Sequence, residues 1–259
     1  MARDGAVRPR YAKHLVIMTK SPVAGRVKRR LGREIGDVAA IRFYRTCLSH
    51  TALRLAQDRR WRTLLAIDPD RDVAAPFAPS PKILARVRQG DGDLGRRMLR
   101  LFSRLPPGPV IIVGSDTPAI GAEHIAQAFR LLGRNDAVLG PAADGGYWLI
   151  GLKRVPKLLS PFAGLRWSSR HALADTLANL KGKRIAFAAT LRDVDTKNDY
   201  GDLRFYAERL ISVQSQSCSV PFNSTLRPAH RFGRSQSHDS TDRRSHAFGA
   251  WPPGPSLCR

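Results

Sequence analysis

Two kinds of block alternate along the chain. The first is a short, unbroken apolar run: "HLVIMT" from His14, "WRTLLAID" from Trp61, "PVIIVGS" from Pro109, "DAVLGPA" from Asp136, "YWLIGL" from Tyr147 and "RIAFAAT" from Arg184. Runs of this length, bounded by turn residues, read as buried strands. "KILARVRQ" from Lys82 reads as a weaker strand. The second kind carries apolar residues three or four positions apart, the spacing of a helix with one buried face. From Val27 to Gln57 the positions Leu31, Ile35, Val38, Ile41, Tyr44, Leu48, Leu53 and Leu55 follow it, and Gly36 divides the stretch into two pieces. Leu94, Met98, Leu101, Phe102 and Leu105 share a face in the next helix. "GAEHIAQAFRLLG" forms a helix closed by Gly133, and "SSRHALADTLANLKG" one capped by Ser168 or Ser169 and stopped at Gly182. A last helix is expected over "NDYGDLRFYAERLI", from Asn198.

Strands that alternate with helices predict an α/β fold, a three-layer sandwich around a mostly parallel sheet. In such sheets ligands gather at the carboxyl ends of the strands. The pattern holds from about residue 13 to residue 210. Residues 1–12 are expected to be a flexible N-terminus. Residues 211–259 are rich in Ser, Arg and Pro without apolar periodicity, so a disordered tail is expected there.

Composition narrows the function classes. At 259 residues and 42% hydrophobic residues, the chain can bury a large core. No run approaches the length of a membrane span, and the basic N-terminus lacks the apolar stretch of a secretory signal, so a cytoplasmic location is expected. Cys47, Cys218 and Cys258 fit neither a disulfide framework nor a metal spacing. The formal charge of +23 comes from nine lysines and 35 arginines against 21 acidic residues, spread along the chain. This field would draw anionic substrates. No basic block interleaved with aromatics accompanies it, so the charge alone does not mark a nucleic-acid surface.

Four segments carry candidate chemistry, and each falls just after an expected strand. "TKSPVAGRVKRRL" places Lys20, Arg26, Lys28, Arg29 and Arg30 around Pro22 and Gly25 at the mouth of a helix. Backbone N–H groups and cations so arranged can cradle phosphate. An ordinary solvated basic loop would look the same, and the loop matches neither a Walker A nor a dinucleotide fingerprint. "GSDTPAI" sets Ser115 and Asp116 past the strongest strand. A carboxylate there suits Mg²⁺ or Mn²⁺, which bind through one or two acids plus phosphate oxygens and water; helix capping by Asp116 is the plainer alternative. "GPAADGGYWLIGL" holds a tight Asp144-Gly145-Gly146 turn followed by Tyr147 and Trp148. It is a hairpin signal, and also a place where backbone can approach a ligand closely. "LRDVDTKNDYGDL" spaces Asp193 and Asp195 two apart, so an extended segment would turn both to one side; Asp195 or Thr196 could equally cap the last helix.

In combination and in order, the segments "KSPVAGRVKRRL", "QGDGDLGRRM", "GSDTP", "GPAADGGYWLIGL", "WSS" and "DVDT" resemble a bacterial family of GT-A-type, glycosyltransferase-like or nucleotide-diphospho-sugar transferase-like proteins. That family is similar to the 2-phospholactate guanylyltransferases and, more distantly, to molybdenum-cofactor nucleotidyltransferases. The resemblance covers residues 13–210. It implies a GT-A-like fold and Mg²⁺ (or Mn²⁺) as cofactor. It also implies phosphate and nucleotide binding by Lys20, Pro22, Gly25, Arg26, Lys28, Arg30, Gly92, Asp93 and Ser115. Asp116, Asp193 and Asp195 would hold the metal, Lys28 and Asp116 would be catalytic, and Asp144, Gly145, Gly146 and Tyr147 would meet the acceptor. Arg97 sits in a family motif with a less defined role. Two positions depart from the pattern: Arg29 stands for a common Thr, and Ala119 for a common acidic residue.

The expected partners are a nucleotide or nucleotide-sugar donor and a small-molecule acceptor. The leading expectation is a glycosyltransferase-like reaction. The alternatives are nucleotidyl transfer to a small phosphorylated acid, and a non-catalytic nucleotide- or nucleic-acid-binding domain. Transfer at phosphorus or at a sugar carbon needs positioning and charge neutralisation rather than a protein nucleophile. No Ser-His-Asp or Cys-His set is present to suggest otherwise.

Overall fold

The computed structural model describes residues 11–77, 84–154 and 157–192. Its strands are β1 (His14–Lys20), β2 (Arg62–Asp68), β3 (Ala85–Arg88), β4 (Val110–Gly114), β5 (Ala137–Pro141), β6 (Tyr147–Leu152) and β7 (Ile185–Phe187). Its helices are α1 (Arg29–Ile35), α2 (Asp37–Ala56), α3 (Leu94–Arg104), α4 (Ala122–Arg134) and α5 (Ala172–Asn179). One sheet runs in the order β3-β2-β1-β4-β6-β5-β7. All neighbours pair in parallel except β6, which runs against both β4 and β5.

The unbroken apolar runs follow from burial on both faces of this sheet. Side chains alternate along a strand. Leu15, Ile17, Leu65, Ile67, Ile111 and Val113 therefore meet Tyr44, Leu48 and Leu55 of α2 and Ile125, Phe129 and Leu132 of α4. Val16, Ala66, Val110 and Ile112, together with Leu139 and Ile150, pack on the other side against Met98, Leu101 and Phe102 of α3, with Leu173 and Leu177 of α5 at the margin. The result is the expected three-layer sandwich.

Four details differ from the sequence reading. Val38, Leu53 and Leu94 point outward, at 69%, 36% and 40% exposure. Gly36, at φ +85°, breaks the chain direction between α1 and α2, so the helical phase restarts and Val38 leaves the buried face. Gly133 lies inside α4; the helix stops at Asn135, whose side-chain amide donates to Leu131 O (2.8 Å). Ser168 is left-handed (φ +56°) and Ser169 Oγ accepts His171 N–H (3.2 Å) in a turn ahead of the helix, so neither serine is the N-cap and α5 starts only at Ala172. The weak strand shortens to β3. The expected last helix, Asp193, Asp195 and the tail lie outside the described residues.

Candidate functional site

Five segments converge on the carboxyl edge of the sheet: the exits of β1, β2, β3 and β4, and the β5–β6 turn. The turn reaches that edge because β6 is reversed, so its first residue lies beside the last residues of β4 and β5.

The β1 exit is drawn to β2, where Ser21 N–H donates to Asp68 O (2.8 Å). Two tight turns follow, Val23 N–H to Ser21 O (2.8 Å) and Arg26 N–H to Val23 O (3.0 Å), with Gly25 at φ +69°. Lys28 then takes a left-handed conformation (φ +47°, ψ +45°) at the N-cap of α1. For a residue with a Cβ this costs about 1–2 kcal/mol. The turn carries the Lys28 side chain inward until it is only 5% exposed, and its Nζ donates to Asp116 Oδ2 at 3.0 Å. Lys28 is one of three left-handed non-glycine residues among those described, with Arg154 and Ser168, and it is the one that ties the basic loop to the β4 exit. Pro22 is buried beneath the loop, while Lys20, Arg26 and Arg30 are exposed.

Below this ion pair lies a buried hydroxyl cluster centred on Tyr44 of α2. Its OH is 2.8 Å from Thr19 Oγ1 and 3.1 Å from Ser115 Oγ. It also accepts from Lys20 N–H (3.0 Å) and faces Lys20 O (3.1 Å). One phenol therefore clamps the end of β1 to the residue before Asp116. Burial pushes its ionisation up, so it serves as a neutral donor and acceptor. The sequence reading placed Tyr44 on the helix face and missed this role. The available signal was that a buried tyrosine needs a partner for its hydroxyl.

The β3 exit is organised by Gln89, 3% exposed, whose amide donates to Thr19 O (2.9 Å) and Ala66 O (2.8 Å). Arg97 reaches Gln89 Oε1 (3.3 Å), Gly92 O (3.0 Å) and Asp68 (2.9 Å). Arg100 holds Gln89 O (2.8 Å) and Asp91 O (3.0 Å). Asp93 caps α3 by accepting Arg96 N–H (2.7 Å), so its carboxylate already has a structural partner. Gly92 completes the loop at φ +100°. The motif "QGDGDLGRRM" is thus a brace that fixes the ends of β1, β2 and β3 relative to one another.

In the β5–β6 turn, Asp144 Oδ1 accepts Gly146 N–H (2.9 Å) and Gly145 O accepts Leu173 N–H (3.1 Å). Gly145 has φ +84°, and a Cβ there would run into the Arg170 carbonyl, so the turn packs directly on the segment entering α5. Tyr147 is half-buried beside Thr176, and burial raises its hydroxyl to about 12. Trp148 is core, donating Nε1–H to Ala189 O (2.9 Å). Leu191 N–H pairs with Pro141 O (3.2 Å), which holds the segment after β7 against the end of β5.

The structure therefore brings Lys20, Lys28, Ser115 and Asp116 to one edge, with the Asp144–Tyr147 turn at that edge too. Among the described residues, no three His, Cys, Asp or Glu side chains gather into a metal cluster. Asp116 keeps a second carboxylate oxygen beyond the one paired with Lys28, and its side chain is 39% exposed. This suits a cation held by one carboxylate with phosphate oxygens and water, not a cage of protein ligands. Cys47 is buried and its thiol is pushed up to about 12, so it offers no nucleophile.

A family model described as "uncharacterized protein conserved in bacteria (DUF2064)" matches residues 51–169. No curated protein matches the chain. Among solved structures, a presumed nucleotide-diphospho-sugar transferase from Desulfovibrio desulfuricans G20 is 25% identical, covers 80% of this chain and 89% of its own, and superposes with a TM-score of 0.66. The 4-diphosphocytidyl-2C-methyl-D-erythritol synthase from Anaerococcus prevotii DSM 20548 is 12% identical over 76% of this chain and 99% of its own, with a TM-score of 0.51. The inositol-1-phosphate CTP transferase from T. maritima is 12% identical over 73% of this chain and 91% of its own, with a TM-score of 0.50. The chain has the GT-A-like fold of the NTP-transferase and nucleotide-diphospho-sugar transferase superfamily.

Proposed function

We propose that the chain is a nucleotide-binding transferase that moves a nucleotidyl group from an NTP to a small phosphorylated acceptor. The observation that carries this reading is the Lys28–Asp116 pair, which joins a basic loop to an acidic strand exit at the ligand-binding edge. In the reaction an acceptor phosphate oxygen attacks the α-phosphorus, and pyrophosphate departs. Lys20, Arg26 and Lys28 orient and neutralise the donor phosphates. Ser115 offers a hydroxyl beside Asp116, held in place through Tyr44. Asp116, with Asp193 and Asp195 as further candidates, would hold Mg²⁺ or Mn²⁺. That cation would add charge neutralisation on the leaving phosphates. Asp144, Gly145, Gly146 and Tyr147 form the acceptor side. Gly92 and Asp93 act at a distance, by shaping the β3 exit.

Two of the fold relatives described above carry cytidylyl- or CTP-transferring names, and this favours nucleotidyl over glycosyl transfer. The glycosyl version remains the second reading, because the D. desulfuricans relative is named for nucleotide-diphospho-sugars. One assay separates them. The purified chain, with Mg²⁺ or Mn²⁺, is given NTPs with phosphorylated three-carbon acids, then nucleotide sugars with the same acceptors. Pyrophosphate release supports nucleotidyl transfer, and nucleoside diphosphate release supports glycosyl transfer. Binding without either product would leave a non-catalytic nucleotide-binding domain and refute the proposal.

A further inference from the structure

A cleft of about 350 Å³ opens between the β1 exit and the β2 exit, lined by Lys20, Ser21, Val23, Arg26, Asp68, Pro69 and Arg71. Its volume falls in the range of small-molecule sites. One wall belongs to the basic loop. The other, formed by Asp68, Pro69 and Arg71, belongs to no motif singled out above.

Three observations bear on its occupant. Three of the seven lining residues are cationic and one is acidic. The acidic one, Asp68, is already engaged by Arg97 at 2.9 Å, so the cleft presents net positive charge. Arg71 is 71% exposed and only loosely paired with Asp72, at 3.9 Å, which leaves its guanidinium able to turn toward a ligand. Ser21 is 6% exposed, and its Oγ is buried with no hydrogen-bond partner among the described residues. A buried hydroxyl left unpaired is destabilising by about 1–3 kcal/mol, and such groups in folded proteins usually find a partner. Its own N–H is satisfied by Asp68 O, so the hydroxyl is the remaining unpaired group of that residue.

We infer that this cleft is a phosphoryl subsite in which Ser21 Oγ and the Arg71 guanidinium complete the coordination begun by Lys20 and Arg26. An anionic oxygen would accept from Ser21 Oγ, and a guanidinium fork matches two further phosphate oxygens. The phosphoryl group could be the donor's outer phosphates or the acceptor's phosphate. The inference deepens the transferase reading and rests on it.

The test is calorimetry on the full chain, wild type and the variants Arg71→Ala, Ser21→Ala, Lys28→Ala and Arg45→Ala. The probes are inorganic pyrophosphate, an NTP and 3-phosphoglycerate. Arg45 is exposed on α2, and its variant corrects for loss of one charge from a strongly basic chain. Arg71→Ala should weaken at least one probe about tenfold beyond Arg45→Ala, the scale of one charge-assisted contact. Ser21→Ala should weaken the same probe severalfold. Loss with pyrophosphate and NTP assigns the cleft to the donor; loss with 3-phosphoglycerate alone assigns it to the acceptor. If both variants match Arg45→Ala on every probe while Lys28→Ala weakens NTP, the subsite is refuted and the transferase reading stands. If the wild type binds no NTP, the transferase reading falls, and the subsite with it.

Discussion

Replacing Tyr44 by Phe removes one oxygen and leaves the packing of the ring on Leu48 and the sheet intact. What it deletes is the shared partner of Thr19 Oγ1, Lys20 N–H and Ser115 Oγ. Thr19 retains a contact to Lys20 O at 3.3 Å. The Lys20 amide and the Ser115 hydroxyl have no comparable substitute in the geometry. Leaving a buried donor unpaired costs about 1–3 kcal/mol, so the whole substitution should destabilise by about 2 kcal/mol. In urea, with a slope of about 2 kcal/mol/M for a domain of this size, the midpoint should drop by about 1 M at unchanged slope. Tyr44→Ala would add the loss of the ring, a further cost of about 3–5 kcal/mol. Nucleotide affinity should fall together with the midpoint in Tyr44→Phe, because the same hydroxyl sets the distance between the basic loop and Asp116. A Tyr44→Phe protein whose stability lies within about 0.5 kcal/mol of wild type would refute the clamp.

Three other outcomes are expected. Asp116→Ala should keep the far-UV dichroism of the wild type yet lose metal-dependent nucleotide binding in calorimetry; unchanged affinity for both nucleotide and Mg²⁺ would remove Asp116 from the site. Truncating residues 215–259 should leave nucleotide affinity unchanged, since the candidate positions lie between Lys20 and Asp195, and a large loss would assign the tail a part in binding. Asp175 is held down to about 2, chiefly by its hydrogen bonds from the Arg166 side chain. A carboxylate with a depressed folded value stabilises above the unfolded value of about 3.9 and loses that contribution as pH falls toward the folded one. The stability gap between wild type and Asp175→Asn should therefore be constant above about pH 5 and close toward pH 2; a gap that persists in acid would show that the carboxylate is not the source.

Much of the sheet was legible because burial on both faces leaves only apolar residues in a strand, as "HLVIM" and "VIIV" show. Asp116 and Lys28 were legible as types at strand exits. Their pairing was not, because it depends on a left-handed backbone at a lysine, which no local pattern announces. Gln89 and Tyr44 were missed for a related reason. Their function lies in hydrogen bonds to residues 23 to 71 positions away, which no local pattern announces. Asp93 shows the reverse. It fitted a nucleotide-binding motif, and the structure uses its carboxylate to cap α3. The helix boundaries at Gly133 and Ser168 failed because Gly is tolerated within a helix and Ser was placed in a conformation outside the usual cap geometry.

The two sides of the edge also differ in how far the chain must travel to make them. The Asp144 turn closes within a hairpin whose strands are sequence neighbours, so its geometry can form locally and early. The Lys28–Asp116 contact spans 88 positions and exists only after the parallel strands β1 and β4 have docked through their intervening helices. Loop-closure entropy puts such contacts late in folding. A partly assembled chain would hold the hairpin but not the cationic–acidic junction. Donor affinity is therefore a sensitive gauge of complete long-range assembly, and in any refolding trajectory it should return last, after the secondary structure is already in place.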